Sequence, residues 1–197
     1  MRFVTRAGGL VLALLAVSDT PGSRLEPGMQ LLYGSGGSEQ PPWVVERVTT
    51  GVTLGGMNGC ADARIHVNPG RRDAEARLYC VRGDTLFAWD TTARVHRALR
   101  PVGPGMVFEL RGRTSVSRYE TGGVAEERIS GVGIPVVATT VTTRDSVGRA
   151  IRRLRERYSV GLMTATGGVF EVPDSTAASG WRTELAFDLV RIVPRRP

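Results

Sequence analysis

The fold turns on "VATTVTTRDSVGRAIRRLRERYSV", residues 137–160. Its second half carries five arginines within nine positions, from Arg149 to Arg157. Wound as a helix, Ile151, Leu154 and Tyr158 share one face at i, i+3 and i+7. Extended, Arg149, Ile151, Arg153, Arg155 and Arg157 stand on one side, and Ala150, Arg152, Leu154, Glu156 and Tyr158 on the other. The residues in front decide between the two. Thr139, Thr140, Val141, Thr142 and Thr143 are all β-branched, stiff at χ1 and suited to a pleated surface. Asp145-Ser146-Val147-Gly148 is hairpin-loop chemistry, with Gly148 where a positive φ is needed. A long strand before that turn asks for a similar partner after it. The stretch reads as a hairpin.

Working outward, Gly and Pro recur too often for helices of ordinary length. Between them lie short runs rich in Val, Thr, Tyr, Leu and Phe. "MQLLYG" (29–34), "WVVERVT" (43–49), "ARIHVN" (63–68), "ARLYCV" (76–81) and "TLFAWD" (85–90) read as strands, followed by "RVHRALRPV" (94–102) and "MVFELR" (106–111). "SVSRYET" (115–121) and "EERIS" (126–130) read as two separate strands, and "WRTELAFDLVRIV" (181–193) closes the chain. Alternation is cleanest where Met106, Phe108 and Leu110 oppose Val107, Glu109 and Arg111. It is as clean where Trp181, Thr183, Leu185, Phe187 and Leu189 oppose Arg182, Glu184, Ala186 and Asp188. Such a period of two means one buried face and one wet face. The expected fold is all-β: a single antiparallel meander forming a strongly curved sheet, a half-barrel or a barrel. Residues 34–42 and 166–180 are expected to be loops, and "TATGGVFEVPDS" (164–175) a wide hairpin loop.

The N-terminus has the secretory layout: Arg2 and Arg6, an apolar run from Gly8 to Val17, and small residues at Ala16-Val17-Ser18. Residues 1–18 are expected to be a signal peptide and 19–197 a single exported domain. The apolar run is about half of the ~20 residues that span a bilayer. A periplasmic or secreted location follows, with membrane contact at most peripheral.

Export bears on the cysteines. Cys60 and Cys80, the only two, are expected to be bridged. They are equidistant from Gly70 in "NPG" (68–70), so folding back at that turn brings them onto neighbouring strands. A zinc site from Cys60, Cys80, His66 and His96 lacks the paired short spacings of zinc motifs.

All 26 basic residues are arginine, against 19 acidic ones, for a net charge of +7. Without lysine there is no Walker loop and no Schiff-base chemistry. No G-x-S-x-G elbow, H-E-x-x-H or other catalytic constellation is present, and no cofactor or metal is expected. The ladder Arg149, Arg153, Arg155, Arg157 is either a solvated face answered by acidic residues or a surface for an anionic partner. Nucleic acid is not expected, since neither stacking aromatics nor a recognition motif accompanies the charge.

The opening strand "GMQLLY", the late hairpin "TTVTTRDSVGRAIRRLRERY" and the closing strand "WRTELAFDLVRIV" together resemble uncharacterised exported bacterial β-sheet proteins. These share a half-barrel plan with periplasmic lipoprotein carriers. In the carriers the curved sheet wraps an acyl chain and helices close its mouth; this sequence offers no clear helical lid. The resemblance implies a non-enzymatic binding protein holding a lipid or other apolar or amphipathic ligand. The alternative is a structural or interaction subunit of a cell-envelope assembly. Carriage predicts an apolar concave face; assembly predicts an exposed interface.

Overall fold

Short β-prone segments joined by tight turns pair first with their sequence neighbours, and this chain pairs almost entirely that way. A computed structural model describes residues 24–35, 43–66 and 75–194. The first half contributes β1 (Met29–Ser35), β2 (Trp43–Leu54), β3 (Met57–His66), β4 (Glu75–Arg82), β5 (Thr85–Asp90) and β6 (Val95–Pro101). The second contributes β7 (Val107–Arg111), β8 (Ser115–Ile129), β9 (Val132–Asp145), β10 (Ala150–Ser159), β11 (Thr164–Pro173) and β12 (Trp181–Val193). The fold is all-β, with no helix among the described residues. One sheet has the order β6-β5-β4-β3-β2-β1-β12-β11-β10-β9-β8-β7. The terminal strands β1 and β12 pair at its centre, antiparallel, and each half of the chain unrolls outward from them. The edges β6 and β7 are consecutive in sequence but form no ladder, so the sheet is not closed into a barrel. The expected signal segment, residues 36–42 of the expected 34–42 loop and the expected turn at Asn68-Pro69-Gly70 lie outside the described residues, while Gly34 and Ser35 belong to β1.

The deciding stretch is the β9–β10 hairpin. Arg153 pairs with Thr142, Arg155 with Thr140 and Arg157 with Ala138. Asp145 Oδ1 accepts from the backbone N–H of Val147 (3.0 Å) and Arg149 (2.9 Å). Gly148 has φ 83°, a conformation that costs other residues a Cβ clash. A register shift between Ala150 and Arg152 leaves Arg149 in the turn, so the ladder proper is Arg153, Arg155 and Arg157.

With no other layer among the described residues to cover it, the sheet covers itself. Register shifts at Leu32/Tyr33, Leu86/Phe87, Thr121/Val124 and Phe170/Glu171 are the bulges that sharpen twist and let a sheet bend. Two buried clusters result. Tyr79 of β4, Leu86 of β5 and Val102 after β6 pack on Tyr158 of β10, strands from opposite wings of the sheet. At one end of the strands, Met29, Leu31 and Tyr33 of β1 and Leu189 and Ile192 of β12 pack with Ile129, Ile134, Val136 and Leu162. That end is sealed by the β8–β9 and β10–β11 turns.

Three local readings are corrected. "TATGGVFEV" is strand, not loop: β11 runs through Gly167 and Gly168. The glycines are there for close approach, since a Cβ on Gly168 would meet Arg155 O at 2.9 Å and Phe187 Cε1 at 3.0 Å. "SVSRYET" and "EERIS" are one strand, β8, bulged at Gly122-Gly123. The alternation of β12 breaks at Glu184: Leu185 faces Phe170, but Thr183 faces Glu171 and Trp181 faces Pro173. The bulge turns Trp181 to the opposite side from Leu185, where Arg153 lies 4.4 Å over its ring.

Cys60 and Cys80 are bonded across β3 and β4, with Cα atoms 4.2 Å apart and both side chains buried. Reduction, or paired Cys60→Ser and Cys80→Ser, is expected to lower stability by about 3 kcal/mol on the chain-entropy account, read as a drop in urea midpoint. Gly168→Val is expected to cost about 1–3 kcal/mol through overpacking, read by thermal denaturation.

Candidate functional site: the inner face of the folded sheet

Antiparallel register fixes which side chains stand in line across strands, and three such lines build the inner face. The one nearest the β8–β9 turn joins Val124, Val137, Tyr158 and Ala165, of which Val137 and Tyr158 are buried, Ala165 is half-buried and Val124 is exposed. The next joins Thr121, Thr139, Glu156, Gly168 and Phe187. The third joins Phe108, Tyr119, Val141, Leu154, Phe170 and Leu185, one residue from each of β7 to β12. Only Val141 of that third line is buried; the other five are half-buried. Phe108 and Tyr119 meet edge to face at 6.2 Å, and Phe170 continues to Phe187 (6.0 Å) and Tyr33 (6.3 Å). Crossing six strands at about 4.8 Å spacing, the line is about 24 Å long.

The middle line carries a buried charge. Glu156, 5 % exposed, forms an ion pair with Arg100 of β6, and the Arg100 guanidinium lies 4.3 Å over the Tyr158 ring. The pair ties one wing of the sheet to the other. Burial pushes the Glu156 carboxyl above its usual range, and Arg100 only partly offsets this. The same burial raises the Tyr119 phenol. Arg100 Nε and Nη2 and Thr139 Oγ1 are buried without a hydrogen-bond partner among the described residues, so the centre keeps donor capacity beside the apolar line.

The sequence-derived candidates lie elsewhere. Arg153 and Arg155 converge on Glu171 of β11: Arg153 Nε at 2.6 Å, Arg155 Nε at 3.1 Å and Nη2 at 2.8 Å. Their field holds the Glu171 carboxyl below its usual range, the Arg153 hydrogen bond first. Arg157 bridges Glu127 and Asp188 over a polar pocket of about 270 Å³ that also includes Thr166 and Arg128. Arg149 holds Asp145 in the turn at 3.0 Å. These residues are on the outer face or at the hairpin tip, and Cys60 and Cys80 are also apart from the inner face. The bonded cysteines leave the zinc reading without thiolates. His96 is engaged in packing: its Nε2 is 2.7 Å from Leu54 O and its ring 4.7 Å from Trp89.

Sequence reasoning missed Arg100, Glu156 and Thr139 as a site. Glu156 did carry a signal, as the one acid in the arginine run and on the side of Leu154 and Tyr158. Nothing local marks Arg100, whose partner is 56 positions away.

The two buried glutamates give opposite pH limbs. The folded state holds more protons at Glu156 than the unfolded chain, so this group lowers stability as pH rises above its usual 4.5. At Glu171 the unfolded chain holds more, so stability falls as pH drops below 4.5. In urea titrations, Glu156→Gln is expected to flatten the neutral limb and Glu171→Gln the acid limb. Arg100→Met at neutral pH should cost about 3–5 kcal/mol, because it strands a buried carboxylate.

No family model matches the chain, and no curated protein matches it. Among solved structures it is similar to the crystal structure of a LolA superfamily protein, NE2245, from Nitrosomonas europaea. The identity is 12 %, covering 86 % of this chain and 84 % of that chain, with a TM-score of 0.28.

Proposed function

We propose that the protein is an exported, non-enzymatic binding protein that holds an apolar or amphipathic ligand along its inner face. The observation that carries this reading is the line Phe108–Tyr119–Val141–Leu154–Phe170–Leu185. It is contiguous, almost wholly apolar and only half-buried, and at about 24 Å it matches a long acyl chain. Each methylene laid on it gains about 0.8 kcal/mol, so a long chain would be held without any covalent step. The uncommitted donors of Arg100 and Thr139 adjoin the line and suit a polar head on the ligand. The buried disulfide agrees with a periplasmic or extracellular location.

A second reading, an interaction subunit of a cell-envelope assembly, draws on the two unpaired edges. β6 carries exposed Val95 and β7 carries exposed Val107, and an open edge can accept a partner strand. Native mass spectrometry of protein taken from its own envelope separates the two: a retained lipid supports carriage, a stoichiometric protein partner supports assembly.

The direct test titrates a naphthylamine probe whose fluorescence rises in apolar surroundings. The parent chain should bind it saturably. Leu154→Asp with Phe170→Asp should weaken binding at least about tenfold, a loss of 1.4 kcal/mol or more. Probe binding unchanged in that variant would sink the reading.

A further inference from the structure

The chain's arginines divide by commitment. Along the outer face Arg118, Arg153, Arg155 and Arg157 each hold a carboxylate. At the end of the sheet formed by the β7–β8 and β9–β10 turns only Arg149 does. Register places this end: Arg111 pairs with Val116, Val116 with Arg144 and Arg144 with Ala150. Arg111, Arg113 and Arg152 are exposed, with no hydrogen bond or ion pair among the described residues. Arg144 gives one N–H to Gly148 O at 2.9 Å, and Arg149, 80 % exposed, holds Asp145. Asp145 is the only carboxylate in the two turns. Among these five cations project two apolar side chains, Val147 at 71 % exposure and Ile151 at 46 %.

We infer that this end of the sheet docks onto an anionic phospholipid surface. Five guanidinium groups around one acid form a local positive field, and each basic group at an anionic leaflet adds about 1 kcal/mol of attraction. Single apolar residues standing out among cations suit the boundary between headgroups and acyl chains. A protein partner would instead need a contiguous patch of about 800 Å², which two turn tips do not offer. Docking stands independently of the ligand reading, but its geometry serves it. The row Leu110–Ser117–Thr143–Arg152 lies between the turns and the apolar line, while Leu162 and its cluster at the opposite end of the strands are buried. A bilayer at the arginine end runs alongside the β7–β10 part of the line.

The test is co-sedimentation of the full chain with vesicles of phosphatidylcholine alone, or of phosphatidylcholine with phosphatidylglycerol. Binding is expected only with phosphatidylglycerol, weakening as salt is raised. Replacing Arg111, Arg113 and Arg152 together by Gln should lower the partition coefficient at least about tenfold. Val147→Asp should lower it several-fold, while Arg118→Gln, on the outer face, should leave it unchanged. Equal binding to both vesicles, no binding to either, or a triple variant that binds like the parent overturns docking. Because these residues lie off the apolar line, naphthylamine uptake should persist in every variant, so failure of docking and failure of ligand binding are read separately.

Discussion

A sheet with no second layer among the described residues has to bury one of its faces against itself. The contact that accomplishes this joins β6 to β10: Arg100 over Tyr158 and paired with Glu156, flanked by Tyr79, Leu86 and Val102. These residues come from strands six to eight steps apart in the order of the sheet, so they meet only if the sheet bends through most of a turn. A buried ion pair contributes little net stability, because desolvation offsets its Coulombic gain. Its worth here is geometric. Several apolar slides of one wing over the other would bury similar area, but only one register lets Arg100 meet the single acid of the inner face of β10.

That bend grades the interior along the strand direction. At the sealed end Met29, Leu31, Ile134 and Leu162 are wholly buried and leave little to bind. In the middle, Thr121, Thr139 and Glu156 are buried polar groups answered in part, Thr121 by Gly103 O at 2.7 Å and Glu156 by Arg100. Beyond them the residues turn apolar again but are only half covered. A core built for stability alone would place its polar groups toward solvent and its aromatics deepest. Here the order is reversed over the outer two lines, which leaves the apolar line beside the proposed polar site for a ligand rather than beneath it.

Much of the fold was legible because it depends on local rules. Thr139 to Thr143, the Asp145–Gly148 turn and the strict alternation of Phe108 with Glu109 gave strands and hairpins, and an antiparallel meander is what remains when every turn is tight. The bridge between Cys60 and Cys80 followed from symmetry about a turn. Bulges were not legible. Each inserts one residue and flips every side chain beyond it, so Trp181 reads in sequence as a companion of Leu185 and stands in fact beside Arg153. Gly167 and Gly168 looked like loop because composition cannot distinguish a glycine that turns the chain from one that makes room for Glu156 and Phe187. The site escaped for a further reason. Arg100 and Glu156 meet through the global bend, which no window of sequence contains.

The arginine excess, spread evenly in composition, is uneven in space, and the acids make it so. Glu171, Glu127, Asp188 and Glu120 stand on the outer face, where guanidinium groups of the same strand, the next strand or the next but one neutralise them. Arg155 offers Glu171 two N–H groups at once, a planar match that an ammonium could not make. With those acids spent on the face, the turns at one end keep most of their charge uncompensated, Asp145 answering Arg149 alone. A net charge of +7 is therefore a poor guide to where this protein is positive. Arg111, Arg113 and Arg152 matter more than the ladder that first draws the eye, because a partner can only be attracted by cations that the fold has not already paired.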